Sequence, residues 1–433
     1  MVDDRREASP LGIKGIDAWL GQTLEHINAQ TTQILCLGAL LQGAGESNLQ
    51  VREVAETYEV PLPRKAGKTA QTQSIDRLRD LALRDRTLPT FSGAEISSER
   101  GASAVSGERS REVWSGLDAE DPKGASAGGQ SIVIRLWNQV RARSSARSAL
   151  ALIGEGLNSR HVQVRAISAA VIHIVHEPYN AQANEILRAS LDAQGYAAEF
   201  AAIALGDESD GASSAYNSVD IDVSLDPLAR DGVTKVSVVV HGTFARLIKA
   251  SEKWYHPQAD LPKRIRRECT PSLYGGALYY RWDAGYSDAA RMRASDDLMV
   301  WCQDRGVQRL DTVYAHSHGG NVVLNAVEAG LEVDLLVLLH TPVLPRSDSS
   351  WANIARRVKR ILDIRTPADW VVMLDGIKTN SRNELPISLQ NARRLTPQAA
   401  AQFQTSHVRY TKDTVWRSLG LTSEVVYERS MAH

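Results

Sequence analysis

The sequence predicts an α/β fold, a mostly parallel sheet flanked by helices, preceded by an all-α N-terminal region. Three observations carry this expectation. From Ile13 to Leu41 the apolar residues recur three, four or seven apart, and between Ile132 and Leu205 helical periodicity returns without the alternation of a strand. Beyond residue 219 the pattern changes to short, mostly apolar runs at Val236–Val240, Ala277–Trp282, Thr312–Ala315, Leu335–Leu339 and Ile361–Ile364. Such runs suit strands covered on both faces, and helix-like segments separate several of them, as parallel pairing requires.

Residues 1–90 form the first helical region. Ile13, Ile16, Leu20, Leu24, Ile27, Ile34, Leu37 and Leu41 mark one helix face, Leu49, Val51, Val54 and Tyr58 a second helix stopped by Pro61 and Pro63, and Ile75, Leu78 and Ala82 a third behind a Ser74 cap. Residues 91–131 read as a polar linker, because Ser92–Ser110 and Gly116–Ser131 are rich in Ser, Gly, Ala and charge. Residues 132–205 regain helical periodicity in Leu136, Val140, Leu150, Ile153, Leu157, Val164, Ile167, Val171, Leu187 and Leu191. Within them Val164-Arg165-Ala166-Ile167-Ser168-Ala169-Ala170 weakly resembles the second helix of a HEAT-type repeat, which implies a protein partner for the N-terminal helical region. After a polar gap, residues 219–433 form the α/β domain, opened by the alternating strand pattern of Val219, Ile221, Val223 and Leu225.

Composition excludes several classes of function. Lys+Arg 50 against Asp+Glu 51 leaves a net charge of -1, so nothing in bulk attracts nucleic acid, and no nucleic-acid partner is expected. Cys36, Cys269 and Cys302 lie far apart in no metal-ligand spacing, which argues against a disulfide scaffold and a structural zinc site. The N-terminus lacks a secretory apolar run, and Ile34–Leu41 and Leu335–Leu339 are too short to span a bilayer, so a soluble cytoplasmic protein is expected. Two basic clusters, Lys263, Arg264, Arg266 and Arg267 and then Arg356, Arg357, Lys359 and Arg360, read as solvated faces; the alternative is peripheral contact with anionic lipid headgroups.

The chemistry concentrates at Thr312-Val313-Tyr314-Ala315 running into His316-Ser317-His318-Gly319-Gly320 and then into the helical Asn321-Val322-Val323-Leu324-Asn325-Ala326. A nucleophile elbow needs small residues two before and two after its serine, because strand and helix backbones approach closely there. Ala315 replaces the first glycine and Gly319 keeps the second. Upstream, Val236–Val240 ends in His241-Gly242-Thr243-Phe244; downstream, Ile361–Ile364 leads to Asp369-Trp370-Val371-Val372, and His407 lies in Ser406-His407-Val408-Arg409-Tyr410.

On these motifs, residues 219–433 resemble the α/β-hydrolase superfamily, and within it the serine lipases and esterases. The resemblance implies Ser317 as nucleophile, His407 as base and Asp369 as the acid, with Asp363 and Asp375 as competing acids. It also implies an oxyanion hole from the amides of Thr243 (Phe244 the less favoured donor) and His318. Phe244, His241 and His340 become candidates for bordering the substrate pocket, and the segment Ser251–Tyr274 for a lid. The implied substrate is a carboxylic ester, lipid-like or a phospholipid, with no organic cofactor and no metal. Thioesters and amides use the same chemistry. The competing expectation is a catalytically inactive hydrolase fold serving as an interaction scaffold. Other motifs weigh little: His173, His176 and Glu177 match no zinc-protease order, and Ala66-Gly67-Lys68-Thr69 lacks the first glycine of a P-loop, having Leu62 there.

Overall fold

A computed structural model of the chain describes residues 24–41, 136–140, 146–175, 180–193, 195–206, 235–243, 245, 253–366, 369–379, 383–397 and 407–433. The expected helices around Leu49–Tyr58 and Ile75–Ala82, the linker 91–131, the strand Val219–Leu225, and the residues His176, Glu177 and Phe244 lie outside them. The chain divides into two units, residues 1–204 and residues 205–433.

The first unit is helical among its described residues. It contains α1 (Leu24–Leu41), α2 (Ala146–Gly156), α3 (Val162–Val175), α4 (Ala181–Leu191) and α5 (Tyr196–Leu205), which ends at the unit boundary. Ile34, Leu35 and Leu37 of α1, Leu152 and Ile153 of α2, and Ile167 and Val171 of α3 are wholly or almost wholly buried, as the periodicity requires. Asn180 caps α4, its side-chain oxygen accepting from the Ala183 amide at 2.9 Å. Among the described residues no helix is long and apolar enough to cross a membrane.

The second unit is mixed α/β. Its strands β1 (Val236–Val240), β2 (Arg309–His316), β3 (Glu332–Leu339), β4 (Val358–Ile364) and β5 (Ala392–Leu395) form one parallel sheet in chain order. Around them lie α6 (Asp260–Glu268), α7 (Asp288–Asp304), α8 (Gly319–Ala329), α9 (Asp348–Arg357), α10 (Trp370–Thr379), α11 (Asp413–Leu419) and α12 (Leu421–Ala432). Alternate strand residues separate into two cores, as side chains of a pleated strand must. Leu336 and Leu338 pack with Leu298 of α7, Val323 of α8 and Ile354 of α9. Leu335, Val337 and Leu339 pack on the other face with Ile265 of α6, Trp416 of α11 and Val425 of α12.

One expected strand is absent. Ala277–Trp282 runs irregularly, its aromatic rings tied down by side-chain bonds such as Tyr280 Oη to Ala294 O at 2.6 Å and Trp282 Nε1 to His241 O at 2.8 Å. The unexpected β5 carries charged residues that its neighbours satisfy: Arg393 meets buried Glu428 at 2.9 Å, and Arg394 meets Glu384 at 3.2 Å.

Candidate active site

Ser317 follows the last residue of β2 and has φ 54°, a left-handed conformation rare for a residue with a Cβ. Its amide still extends the ladder, donating to Leu339 O at 2.9 Å, before the chain turns into α8. Two glycines make this turn sterically feasible. A Cβ at Gly242 would lie 2.5 Å from Ser317 Cβ and 2.9 Å from His316 O, and one at Gly319 would lie 2.7 Å from Val240 O. The His241–Thr243 loop therefore lies backbone to backbone against the serine. Ala315, where the motif has glycine, pairs with Val240 and Leu338 and is fully buried, so the sheet accommodates its methyl.

Asp369 and His407 meet directly, Nδ1 to Oδ2 at 2.7 Å. Because a carboxylate only accepts, Nδ1 carries the proton, which leaves Nε2 as the ring's basic nitrogen. The other carboxylate oxygen, Oδ1, accepts the amides of Val371 at 2.9 Å and Val372 at 3.1 Å at the start of α10. Burial pushes the Asp369 carboxyl up, but facing His407 and His340 and the bond from His407 outweigh it and hold the group at about 2. Asp369 is therefore an anion at neutral pH. The competing acids are engaged elsewhere: Asp363 pairs with Arg365 at 2.8 Å, and Asp375 accepts from His318, Tyr286 and Asn383.

The His407 ring lies 4.7 Å, centroid to centroid, from that of His316, the residue before the serine. His316 Nε2 donates to His407 O at 3.0 Å, and His340 Nδ1 donates to the same oxygen at 2.7 Å. Ser317, Asp369 and His407 are each at most 4% exposed.

Thr243 is 8% exposed, and its Oγ1 is buried with no hydrogen-bond partner among the described residues. His318 is the residue before α8; its Nε2–H faces Asp375 at 3.2 Å and its Nδ1 accepts from Asn321 at 3.1 Å, which holds it in one orientation. His241 braces the loop before Thr243: its Nδ1 donates to Gly242 O at 3.0 Å, its ring stacks on Trp282, and burial lowers it to about 4. His340 is 0% exposed with both ring nitrogens bonded, so it presents no polar atom to a substrate.

Trp254, Tyr255 and Tyr274, with Leu261 and Ile265, are buried in the domain's cores; the Trp254 ring meets the edge of His316 at 5.9 Å, and Tyr255 lies 4.3 Å from His241. Tyr255, Tyr279, Pro257 and Pro262 border a narrow cleft beside β1. Most cations of the two basic clusters have local partners. Arg264 binds Asp413 and Glu268, Arg266 binds Leu273 O and Pro257 O, Lys359 binds Asp334 and Arg360 binds Glu428.

Among the described residues, two groups bring three metal-capable atoms within 4.8 Å of one another, His340, Asp369 and His407, and Asp311, Asp334 and His433. The first is the hydrogen-bonded cluster just described. In the second, Asp311 already meets Arg429 at 2.7 Å and His433 at 3.0 Å, and Asp334 meets Lys359 at 2.9 Å. The three cysteines are buried, and burial raises their thiols, Cys36 and Cys302 to about 12, which leaves no thiolate nucleophile.

No protein-family model matches the chain, and neither a curated protein nor a solved structure matches it significantly.

Proposed function

We propose that the α/β unit is a serine hydrolase of the α/β-hydrolase type that cleaves carboxylic esters through an acyl-enzyme. The observation that carries this reading is the 2.7 Å bond from His407 Nδ1 to Asp369 Oδ2, together with a serine turned out of its strand at φ 54°. The chain order Ser, Asp, His agrees with such enzymes.

On this reading Ser317 Oγ attacks the ester carbonyl carbon and its proton passes to His407 Nε2. Asp369 keeps the imidazole in the required tautomer and stabilises the cation that forms. The amides of Thr243 and His318 receive the tetrahedral oxyanion, and the unpartnered Thr243 hydroxyl lies on the same loop. Collapse expels the alcohol, protonated by His407, and water repeats the sequence to release the acid. The aromatic rings packed on His241 and His316 give the site apolar surroundings, which favour a lipid-like acyl group. Because most cations of the two basic clusters are already paired, an uncharged ester fits better than an anionic headgroup.

The test is labelling by a fluorophosphonate probe, alongside a panel of esters of graded chain length. Wild-type protein should label and turn over esters, and Ser317→Ala should do neither. Folded wild-type protein that does not label would leave the interaction scaffold as the better reading.

A further inference from the structure

His340 follows β3 and has φ 49°, a conformation that residues with a Cβ adopt rarely, and it has no solvent exposure. Its Nδ1 lies 2.7 Å from His407 O and 3.1 Å from Asp369 Oδ2. Both oxygens only accept, so Nδ1 carries the proton, and Nε2 then accepts from Thr366 Oγ1 at 3.1 Å. The tautomer is set by its neighbours.

We propose that His340 is a positioning residue that clamps the base of the serine hydrolase against its acid, its Nδ1–H bonding the His407 carbonyl oxygen while it lies beside the Asp369 carboxylate. This rests on the reading of the site given above. Asp369 then has donors on both oxygens, two backbone amides on Oδ1 and the His407 ring on Oδ2, with His340 Nδ1 beside Oδ2 at 3.1 Å. A carboxylate held on all sides cannot rotate away from His407. The same N–H holds the main chain of His407, to which His316 donates as well. Burial lowers His340 to about 4, so at neutral pH it contributes a dipole and no charge that would compete with His407 for Asp369. The groups facing it are Asp369, His407, His316, Arg365, Thr366 and the Tyr410 ring at 4.5 Å.

The test compares two amides at position 340. His340→Asn places its NH2 near the position of Nδ1, and His340→Gln places its own near Nε2. Fluorophosphonate labelling rates and ester kcat are measured across pH, with thermal midpoints as a check on folding. His340→Asn should stay within a few-fold of wild type with the same pH profile. His340→Gln should fall about 10- to 100-fold in kcat. Its acid limb should move to higher pH, because Asp369, relieved of the N–H dipole beside its Oδ2, holds the proton on the base more strongly. Equal behaviour of two folded variants would overturn the clamp while leaving the serine reading intact. Absence of labelling in wild type, or labelling that survives Ser317→Ala, would overturn both.

Discussion

Ser317 and His340 stand side by side at the ends of neighbouring strands. His316 and Leu339 form the last pair of the β2–β3 register, and the next residue of each strand turns out of the sheet with φ of 54° and 49°. Each amide makes one more ladder bond, Ser317 to Leu339 O and His340 to Ile364 O, both 2.9 Å. The spacing between Ser317 and His340 is therefore set by the sheet and not by a loop.

Asp369→Asn should lower kcat about 10³- to 10⁴-fold, because an amide no longer fixes the imidazole tautomer. Asp363→Asn should leave turnover near wild type, since Asp363 pairs with Arg365 and not with His407. Steady-state kinetics on one ester distinguishes them, and equal losses would reassign the acid.

Thr243→Val removes a buried hydroxyl that has no partner among the described residues. The folded protein should be as stable or more so, since an unsatisfied buried hydroxyl costs about 1–3 kcal/mol. Ester turnover should nevertheless fall, and Thr243→Ser should restore it. Loss of stability together with activity would mean that the hydroxyl serves the fold.

Gly242→Ala would press a methyl against Ser317 Cβ and His316 O. Overpacking of this kind costs about 1–3 kcal/mol, and relief requires moving either the serine or the loop. Probe labelling should fall far more than the thermal midpoint; unchanged labelling would show that the two backbones can separate freely.

Acid should destabilise the α/β unit before its carboxylates protonate. Burial lowers His241 and His340 from 6.5 to about 4, and lowers His316 and His318 as well. Between about pH 6.5 and 4 the unfolded chain binds protons that the folded one refuses, so stability falls with pH, by up to about 1.4 kcal/mol per unit for each such group. Below 3.8 Asp369, held at about 2, adds to the same trend. Urea midpoints at pH 7.5 and pH 5 measure the effect, and equal midpoints would contradict it.

Strands buried on both faces were legible in the sequence because burial leaves a continuous apolar run, as in Leu335–Leu339. Ala392–Leu395 was not, since an edge strand holding Arg393 and Arg394 looks like surface until Glu428, Glu424 and Glu384 are placed beside it. Ala277–Trp282 misled in the opposite sense: its aromatics suit a strand, yet its rings are anchored by bonds that no periodicity encodes. Asp369 and His407 were nameable from motif order, whereas the role of His340 depends on register, which brings residues 23 positions apart to one strand end.

The two faces of the sheet are covered at different times during synthesis. The core formed with α7, α8 and α9 can assemble as β1 to β4 leave the ribosome, but the opposite core needs Trp416, Leu421 and Val425 from α11 and α12. Until those residues emerge, Leu335, Val337 and Leu339 lack much of their apolar cover, which invites association with other chains or a chaperone. Nascent chains stalled before residue 413 should therefore be protease-sensitive and inactive even though all five described strands are already present.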